Sequence, residues 1–329
     1  MRQAKLRTTQ AAAPVRKRSR WLAVAHANSG VLFVLPAVLL FLVFGLYPVI
    51  YSFVLSFFRW NGFSGFSILP FACVAPTCSF VGFDNFKEFL FANPITAGMF
   101  RQAIWRDMFL LTTVTGGTIV LALPIALALN QGVRGQSLFR MLIMLPMVTA
   151  GIAVYYVWTF IYQPDGLLNS VLQMVGLGAI GAKQGWLGTS SLALPSVAVV
   201  LIWSSVPAAV IFYLAGLQTI NAELYEAARL DGANSWHLLL HITWPLLLPI
   251  TIIIVISTLN AIIQSSYQTI YLMTNGGPAG STTTTGLMVF NYGFGDQRDL
   301  GVASAMAWML FLALAVITMV NLRVFRSRT

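Results

Sequence analysis

Residues 247–273 read LLPITIIIVISTLNAIIQSSYQTIYLM, and this run decides the fold class. It contains no Asp, Glu, Lys, Arg or His, and about 20 residues of helix are enough to cross the roughly 30 Å of hydrocarbon in a bilayer. Five more uncharged runs of similar length flank it: Gly30–Phe57, Met108–Asn130, Met141–Tyr162, Leu192–Leu217 and Val302–Leu322. Inside lipid every backbone polar group must be paired within the segment, so such runs fold as helices. The expectation is an all-α, polytopic membrane protein with six transmembrane helices.

Composition agrees. The 329 residues are 58% hydrophobic and only 9% charged, against about 25% charged in a soluble domain, and mean hydropathy is +0.80. An ordinary soluble enzyme and a disordered chain are both excluded. Residues 1–29 form a basic tail with seven Lys or Arg and no acid. The apolar run behind it is far longer than the 7–15 residues of a signal peptide core, and no small-residue cleavage pattern follows. A retained first span is expected, so the chain divides into a tail (1–29), a six-helix domain (30–322) and a short basic tail (323–329).

Basic residues in short loops stay cytoplasmic. With the N-terminus inside, inner segments hold 13 Lys or Arg and outer segments 6, which places both termini in the cytoplasm. The net charge of +10 then marks topology and attraction to anionic membrane lipid. The positive charge lies mainly in two tails and not on one stacking surface, so nucleic acid is not an expected partner. Cys73 and Cys78 share the longest outer loop; they form a disulfide in an oxidising compartment or remain two free thiols. Phe80 to Phe86, VGFDN between them, reads as a turn into a short amphipathic helix at Lys87-Glu88-Phe89-Leu90 on the outer interface.

Energy sources can be tested on the sequence. Ion coupling leaves ionisable groups inside spans, and the six runs have none. A phosphate loop needs G-x-x-x-x-G-K-[ST], but the four lysines, at 5, 17, 87 and 183, never follow a glycine. His237 and His241 have i,i+4 spacing, a geometry able to bind zinc, yet no third ligand is evident, and surface histidines are the expectation. No metal site, cofactor or catalytic cluster is expected on this chain. What remains is a transporter subunit powered from outside, or a stand-alone channel or facilitator.

The loop 221–246 separates these. Asn221 is an N-cap with Glu223 in the first turn, Gly232 can take the left-handed conformation that ends a helix, and Asn234 or Ser235 can cap a second short helix before Pro245. The first helix would present Leu224, Ala227, Ala228 and Asp231 on one side, with small alanines admitting a close partner.

These residues carry a resemblance. Glu226-Ala227-Ala228, three residues, Gly232, nine residues, Ile242, one residue and Pro245 match the E-A-A-x3-G-x9-I-x-L-P signature of permease subunits of binding-protein-dependent ABC importers, with Trp244 where Leu is usual. Phe80-Val-Gly-Phe-Asp-Asn-Phe86, Arg134-Gly135 with Phe139-Arg140, Gly166-Leu-Leu-Asn169, Ala215-Gly-Leu-Gln218 and Thr274-Asn-Gly-Gly-Pro278 resemble the carbohydrate-uptake branch, and Asn275-Gly-Gly-Pro278 resembles the first maltose and glycerol-phosphate permeases. The resemblance implies a type I ABC importer permease fold and a non-catalytic subunit. It also implies a second homologous permease, two copies of an ATPase that binds ATP and Mg, and an extracytoplasmic solute-binding protein. Glu226, Ala227, Ala228, Asp231, Gly232, Ile242 and Pro245 would form the contact with the ATPase.

For the cargo, Asn260, Gln264, Ser265, Ser266, Tyr267 and Gln268 give the fifth span an unusual polar density, and Asn260, Gln264 and Tyr267 share a broad helical face. Amides, hydroxyls and an aromatic ring suit a sugar. Trp203-Ser204-Ser205-Val206-Pro207 resembles the family's W-x-x-x-P element, whose middle positions line the sugar pocket, which nominates Ser204 and Ser205. Hydrogen bonding between helices is the competing use of all these groups.

Overall fold

Helix dominates the computed structural model, which describes residues 33–63, 66–67, 72–73, 78–132, 135–149, 151–295 and 298–326. The tail 1–29, Arg134 and Arg328 fall outside the described residues. The chain divides into two units at Ser52 and Phe53. The first contains helix α1 (Phe33–Leu55) up to that boundary. Its side chains are apolar around the whole circumference and, apart from the half-buried Gly45 and Tyr47, exposed from Phe33 to Ile50, the pattern of a helix whose solvent is lipid.

The second unit is built on two long helices, α3 (Pro94–Asn130) and α7 (Ser190–Leu217), with α9 (Ser235–Met273) packed beside them. Ala122, Ala126 and Leu129 of α3 meet Val206, Ala209, Val210 and Tyr213 of α7 and Leu247 and Ile254 of α9. Small residues allow this approach, because lipid supplies no hydrophobic drive between helices and packing must supply the attraction. A Cβ on Gly117 would stand 2.6 Å from Ile202 Cδ1, and one on Gly216 would stand 2.9 Å from both Leu247 and Ile250. Leu110, Leu111 and Val114 continue the core with Val197, Leu201, Ile262, Ile270 and Leu287.

Among the described residues four helices are long and apolar enough to cross a membrane: α1, α3, α7 and α9. The expected third span is broken. Helices α4 (Gln136–Val148) and α5 (Gly151–Ile161) meet at 104°, and the chain leaves the helix at Thr149, whose φ of −80° and ψ of 134° are extended. Helix α11 (Leu300–Arg326) carries the apolar stretch Leu300–Val316 and starts where Asp299 Oδ1 accepts the Gly301 and Val302 N–H groups, both at 3.1 Å.

The second span also departs from expectation. Helix α3 starts at Pro94, not near Met108, because Asn93 Oδ1 accepts the N–H groups of Ile95 and Thr96 at 3.1 and 3.3 Å and proline fits the first turn. Its 37 residues measure about 55 Å, so Arg101, Arg106 and Asp107 are helical and not loop residues.

The quoted motifs are structural nodes. Asn85, fully buried beside helix α2 (Asp84–Lys87), donates to the carbonyls of Ser56 and Phe58 at 2.9 and 2.8 Å. The helix expected at Lys87–Leu90 is this short turn followed by the wider turn Glu88–Ala92. Lys87 Nζ lies 2.8 Å from Asp84 and holds its carboxyl below the usual range. Asn169, in helix α6 (Leu167–Met174), donates to the carbonyls of Pro164 and Ala182 and accepts from Ala182 N–H and Trp186 Nε1–H. Cys78 is buried and disulfide-bonded; the chain's other cysteine is Cys73.

Candidate functional site

The loop after α7 folds as its capping residues dictate. Helix α8 (Ala222–Leu230) starts at Asn221, whose Oδ1 accepts the Glu223 N–H at 3.1 Å. It ends at Gly232, with φ +85°. There the Ala233 N–H bonds the Ala228 carbonyl at 2.9 Å and the Gly232 N–H bonds the Arg229 carbonyl at 3.0 Å, the paired closure in which glycine avoids the left-handed penalty of a side chain. No residue of α8 is buried. Leu224, Glu226, Ala227, Leu230 and Asp231 face outward, while Tyr225 and Ala228 are half-buried. Of the side expected to lie open, only Ala228 turns partly inward.

Asn234 then caps α9 by accepting the His237 N–H at 2.9 Å. The second short helix does not stop before Pro245. It runs through a π segment, Leu239–Thr243, directly into the long apolar helix. A proline offers no N–H and its ring crowds the carbonyl one turn back, and the wider turn lies just before that position. Ile242 is half-buried and Pro245 exposed. The hydroxyls of Tyr225 and Thr243 bond at 3.0 Å and brace α8 against α9. Between α8, the ends of α3 and α7 and the start of α9 lies a cleft of about 530 Å³, lined by Asn130, Gln131, Tyr225, Glu226, Arg229 and Trp236 among others.

A second cavity, about 210 Å³, lies among α5, α7 and α9 and is lined by Tyr155, Ser204, Ser205, Ser257, Thr258 and Ser265 with Ala208 and Ala261. Hydroxyls therefore converge from three helices. Ser204 and Ser205 each bond a carbonyl of their own helix, Val200 at 3.0 Å and Leu201 at 2.8 Å, and Ser265 does the same with Ala261 at 2.7 Å. Such local bonds satisfy the donor and leave the oxygen free to accept.

The structure separates the other candidates from this cavity. Asn260 and Gln264 lie on a different face of α9, in a groove against Phe311, Leu314 and Thr318 of α11. Ser266 is buried and lines a separate cavity with Asp107 and Thr285. Tyr267 stacks on Phe290 with centroids 5.9 Å apart. Ser257, Thr258 and Tyr155 were not anticipated from sequence. Ser257, Ala261 and Ser265 repeat at four-residue spacing, a small polar stripe that helical periodicity does reveal; Tyr155 joins it only through tertiary packing.

Asp107 is one of the ionisable groups of α3 that the linear reading left outside the spans. Its Oδ2 accepts the Thr285 N–H at 3.1 Å and the Thr285 hydroxyl, at the first residue of helix α10 (Thr285–Phe294). Arg106 donates to the Thr283 carbonyl at 3.1 Å. The two adjacent side chains clamp the segment 274–285 to α3. Among the described residues, no three His, Cys, Asp or Glu cluster to hold a metal.

A family profile described as "binding-protein-dependent transport system inner membrane component" matches residues 118–329. The chain belongs to this family. The match takes in both the E-A-A loop and the hydroxyl-lined cavity. Among relatives of this permease, the "trehalose/maltose transport system permease protein MalF" of Thermococcus litoralis is 32% identical over 92% of this chain and 95% of its own length. The "multiple sugar-binding transport system permease protein MsmF" of Streptococcus mutans is 31% identical over 90% of this chain and 94% of its own. In fold, the permease resembles a chain from "a bacterial ABC transporter involved in the import of the acidic polysaccharide alginate", with a TM-score of 0.71 and 23% identity over 94% of this chain and 99% of that one. It is accordingly a multi-pass membrane protein with the fold of ABC importer permeases.

Proposed function

We propose that this permease is one half of the membrane pathway of an ATP-driven importer for a sugar or oligosaccharide. A solute-binding protein outside delivers the cargo, a second homologous permease completes the pathway, and two cytoplasmic ATPase copies bind ATP and Mg. The chain itself is not an enzyme, and both of its termini lie in the cytoplasm. The observation that carries this reading is helix α8: short, capped at both ends, exposed, braced by Tyr225 to the base of α9, and bearing Glu226 and Gly232 in the family's spacing. A rigid projecting helix converts movement of a partner into tilt of the helices behind it. The hydroxyl-lined cavity supports a neutral polyhydroxylated cargo, because each hydroxyl can donate or accept and no charge must be matched. The relatives named for trehalose, maltose and multiple-sugar transport support the same class.

The test is reconstitution of the chain with its sister permease, ATPase and binding protein encoded alongside it. Glu226→Lys and Gly232→Asp are expected to abolish ATP-linked uptake and co-purification with the ATPase. Undiminished uptake in both variants, or uphill transport with no ATPase present, would favour the facilitator reading instead.

A further inference from the structure

Helices α4 and α5 diverge at their 104° bend, and together with α3 and α7 they line a groove of about 490 Å³. Its walls include Leu121, Leu142, Pro146, Trp158, Trp203 and Pro207, and none of its lining side chains carries a charge, an amide or a hydroxyl. It therefore offers a sugar nothing to bond. Trp158 and Trp203 meet edge to face in its wall, centroids 5.7 Å apart. Leu121 and Leu142 are exposed, and on helices bathed by lipid such exposure opens to hydrocarbon and not to water. Ile125 stands 5 residues before the end of α3 and Pro207 10 before the end of α7, about 8 and 15 Å along the helix axes. One leaflet of the roughly 30 Å of hydrocarbon is about 15 Å deep. In the orientation proposed above these helix ends face the cytoplasm, so the groove starts at the depth of the inner acyl chains.

Toward those ends the groove meets a cation. Arg140, Ile143 and Pro146 follow at three-residue spacing along one side of α4, and the latter two line the groove. The Arg140 Nε is buried and, among the described residues, has no hydrogen-bond partner. A guanidinium matches phosphate with two charge-assisted hydrogen bonds. Size decides between occupants. A single helical turn with its side chains, about 10 Å across and about 5.4 Å high, already takes nearly all of this space, so a membrane helix of a partner does not fit in it. One acyl chain does.

We propose that this groove binds one anionic phospholipid of the bilayer, with an acyl chain against Trp158 and Trp203 and the headgroup phosphate on Arg140. Basic side chains on the cytoplasmic side attract anionic lipid in just this way. Tyr155, one turn before Trp158 on α5, lines the hydroxyl-lined cavity, so the lipid lies behind one wall of that cavity. Only the choice of leaflet rests on the orientation proposed above; the site itself belongs to this chain alone.

Fluorescence titration of the full chain in detergent with phosphatidylglycerol brominated on its acyl chains tests this, because bromine quenches indole on contact. Phosphatidylcholine with the same chains is the control. The expected result is quenching that saturates at one phosphatidylglycerol per chain and is largely lost in the Trp158→Phe/Trp203→Phe double variant. Phosphatidylcholine is expected to bind about fivefold more weakly, the usual weight of one basic side chain near an anionic lipid surface. Arg140→Gln is expected to bring phosphatidylglycerol down to the phosphatidylcholine level while the far-ultraviolet circular dichroism stays helical, and Arg101→Gln to keep the preference. Quenching as deep in the double variant as in wild type overturns the acyl site. So does quenching that disappears when the sister permease is co-purified, which would put that partner over the groove. Equal affinity for the two lipids, or a preference that survives Arg140→Gln, overturns the headgroup contact. No ATPase enters the measurement, so failure here leaves the importer reading standing.

Discussion

The hydroxyls of Tyr225 and Thr243, 3.0 Å apart, form the side-chain bridge between the exposed helix α8 and the base of α9. Thr243 is buried and also donates to the Leu238 carbonyl at 3.2 Å, so the bridge ends on a fixed point. Force applied to α8 therefore reaches a helix that lines the cavity. Tyr225→Phe removes one neutral hydrogen bond, worth about 1 kcal/mol. We predict a melting temperature within a few degrees of wild type, the usual size of such a change, but a severalfold fall in ATP-linked uptake. Uptake equal to wild type in reconstituted vesicles would show that the bridge transmits nothing.

Asp107 and Thr285 make the opposite kind of link, one for stability. Asp107→Ala leaves the N–H and hydroxyl of the buried Thr285 without their acceptor. Leaving buried donors unpaired costs about 1–3 kcal/mol, and Asn restores one acceptor. Thermal unfolding of the purified chain should rank wild type, then Asp107→Asn, then Asp107→Ala. An alanine variant as stable as wild type would sink the clamp.

Glycine 301 sits where α11 passes the backbone before Asn85. A Cβ there would overlap the Phe58 carbonyl oxygen and stand 2.9 Å from Asn85 Nδ2. Backbone cannot swing aside as a side chain can, so Gly301→Ala should cost more than about 2 kcal/mol, a strain- and network-breaking substitution. Gly98, also helical, has nothing within 4 Å of an added Cβ. Gly98→Ala should be neutral or stabilising by about 0.5–1 kcal/mol. Denaturation of the two variants side by side checks the contrast.

The cavity makes a prediction about position, not polarity. Ala208→Leu or Ala261→Leu would project into the 210 Å³ space and is expected to block sugar uptake with little loss of folding. Asn260→Ala and Gln264→Ala, on the α11 side of the same helix, should leave uptake nearly unchanged. Uptake assays that rank these variants the other way would move the cargo to the other groove.

The helical class, the first and fourth spans and the capped loop were legible because they rest on local chemistry. Uncharged runs must pair their backbones internally, Asn221 and Asn234 have side chains short enough to reach the next turn, and a glycine at 232 takes φ +85° without a side-chain penalty. The same local logic misled at α3. There the search for uncharged residues stopped at Met108, while the Asn93-Pro94 start signal extended the helix back through Arg101, Arg106 and Asp107. It missed the bend after Thr149 for a similar reason, since Pro146 and Gly151 read as tolerated breakers inside one run.

What the sequence by itself determined is therefore a chain whose solvent is lipid, with a helix set to project from it, because burial of backbone and capping of helix ends depend only on near neighbours. Tertiary structure alone decided which polar side chains meet. One helix carries Ser257, Asn260, Ser265, Ser266 and Tyr267 within three turns, and rotation by a single residue sends successive groups to α7, to α11 or to α10. That choice is made by where Gly117, Gly216 and the small alanines let neighbouring helices approach, a packing outcome that no single helix encodes.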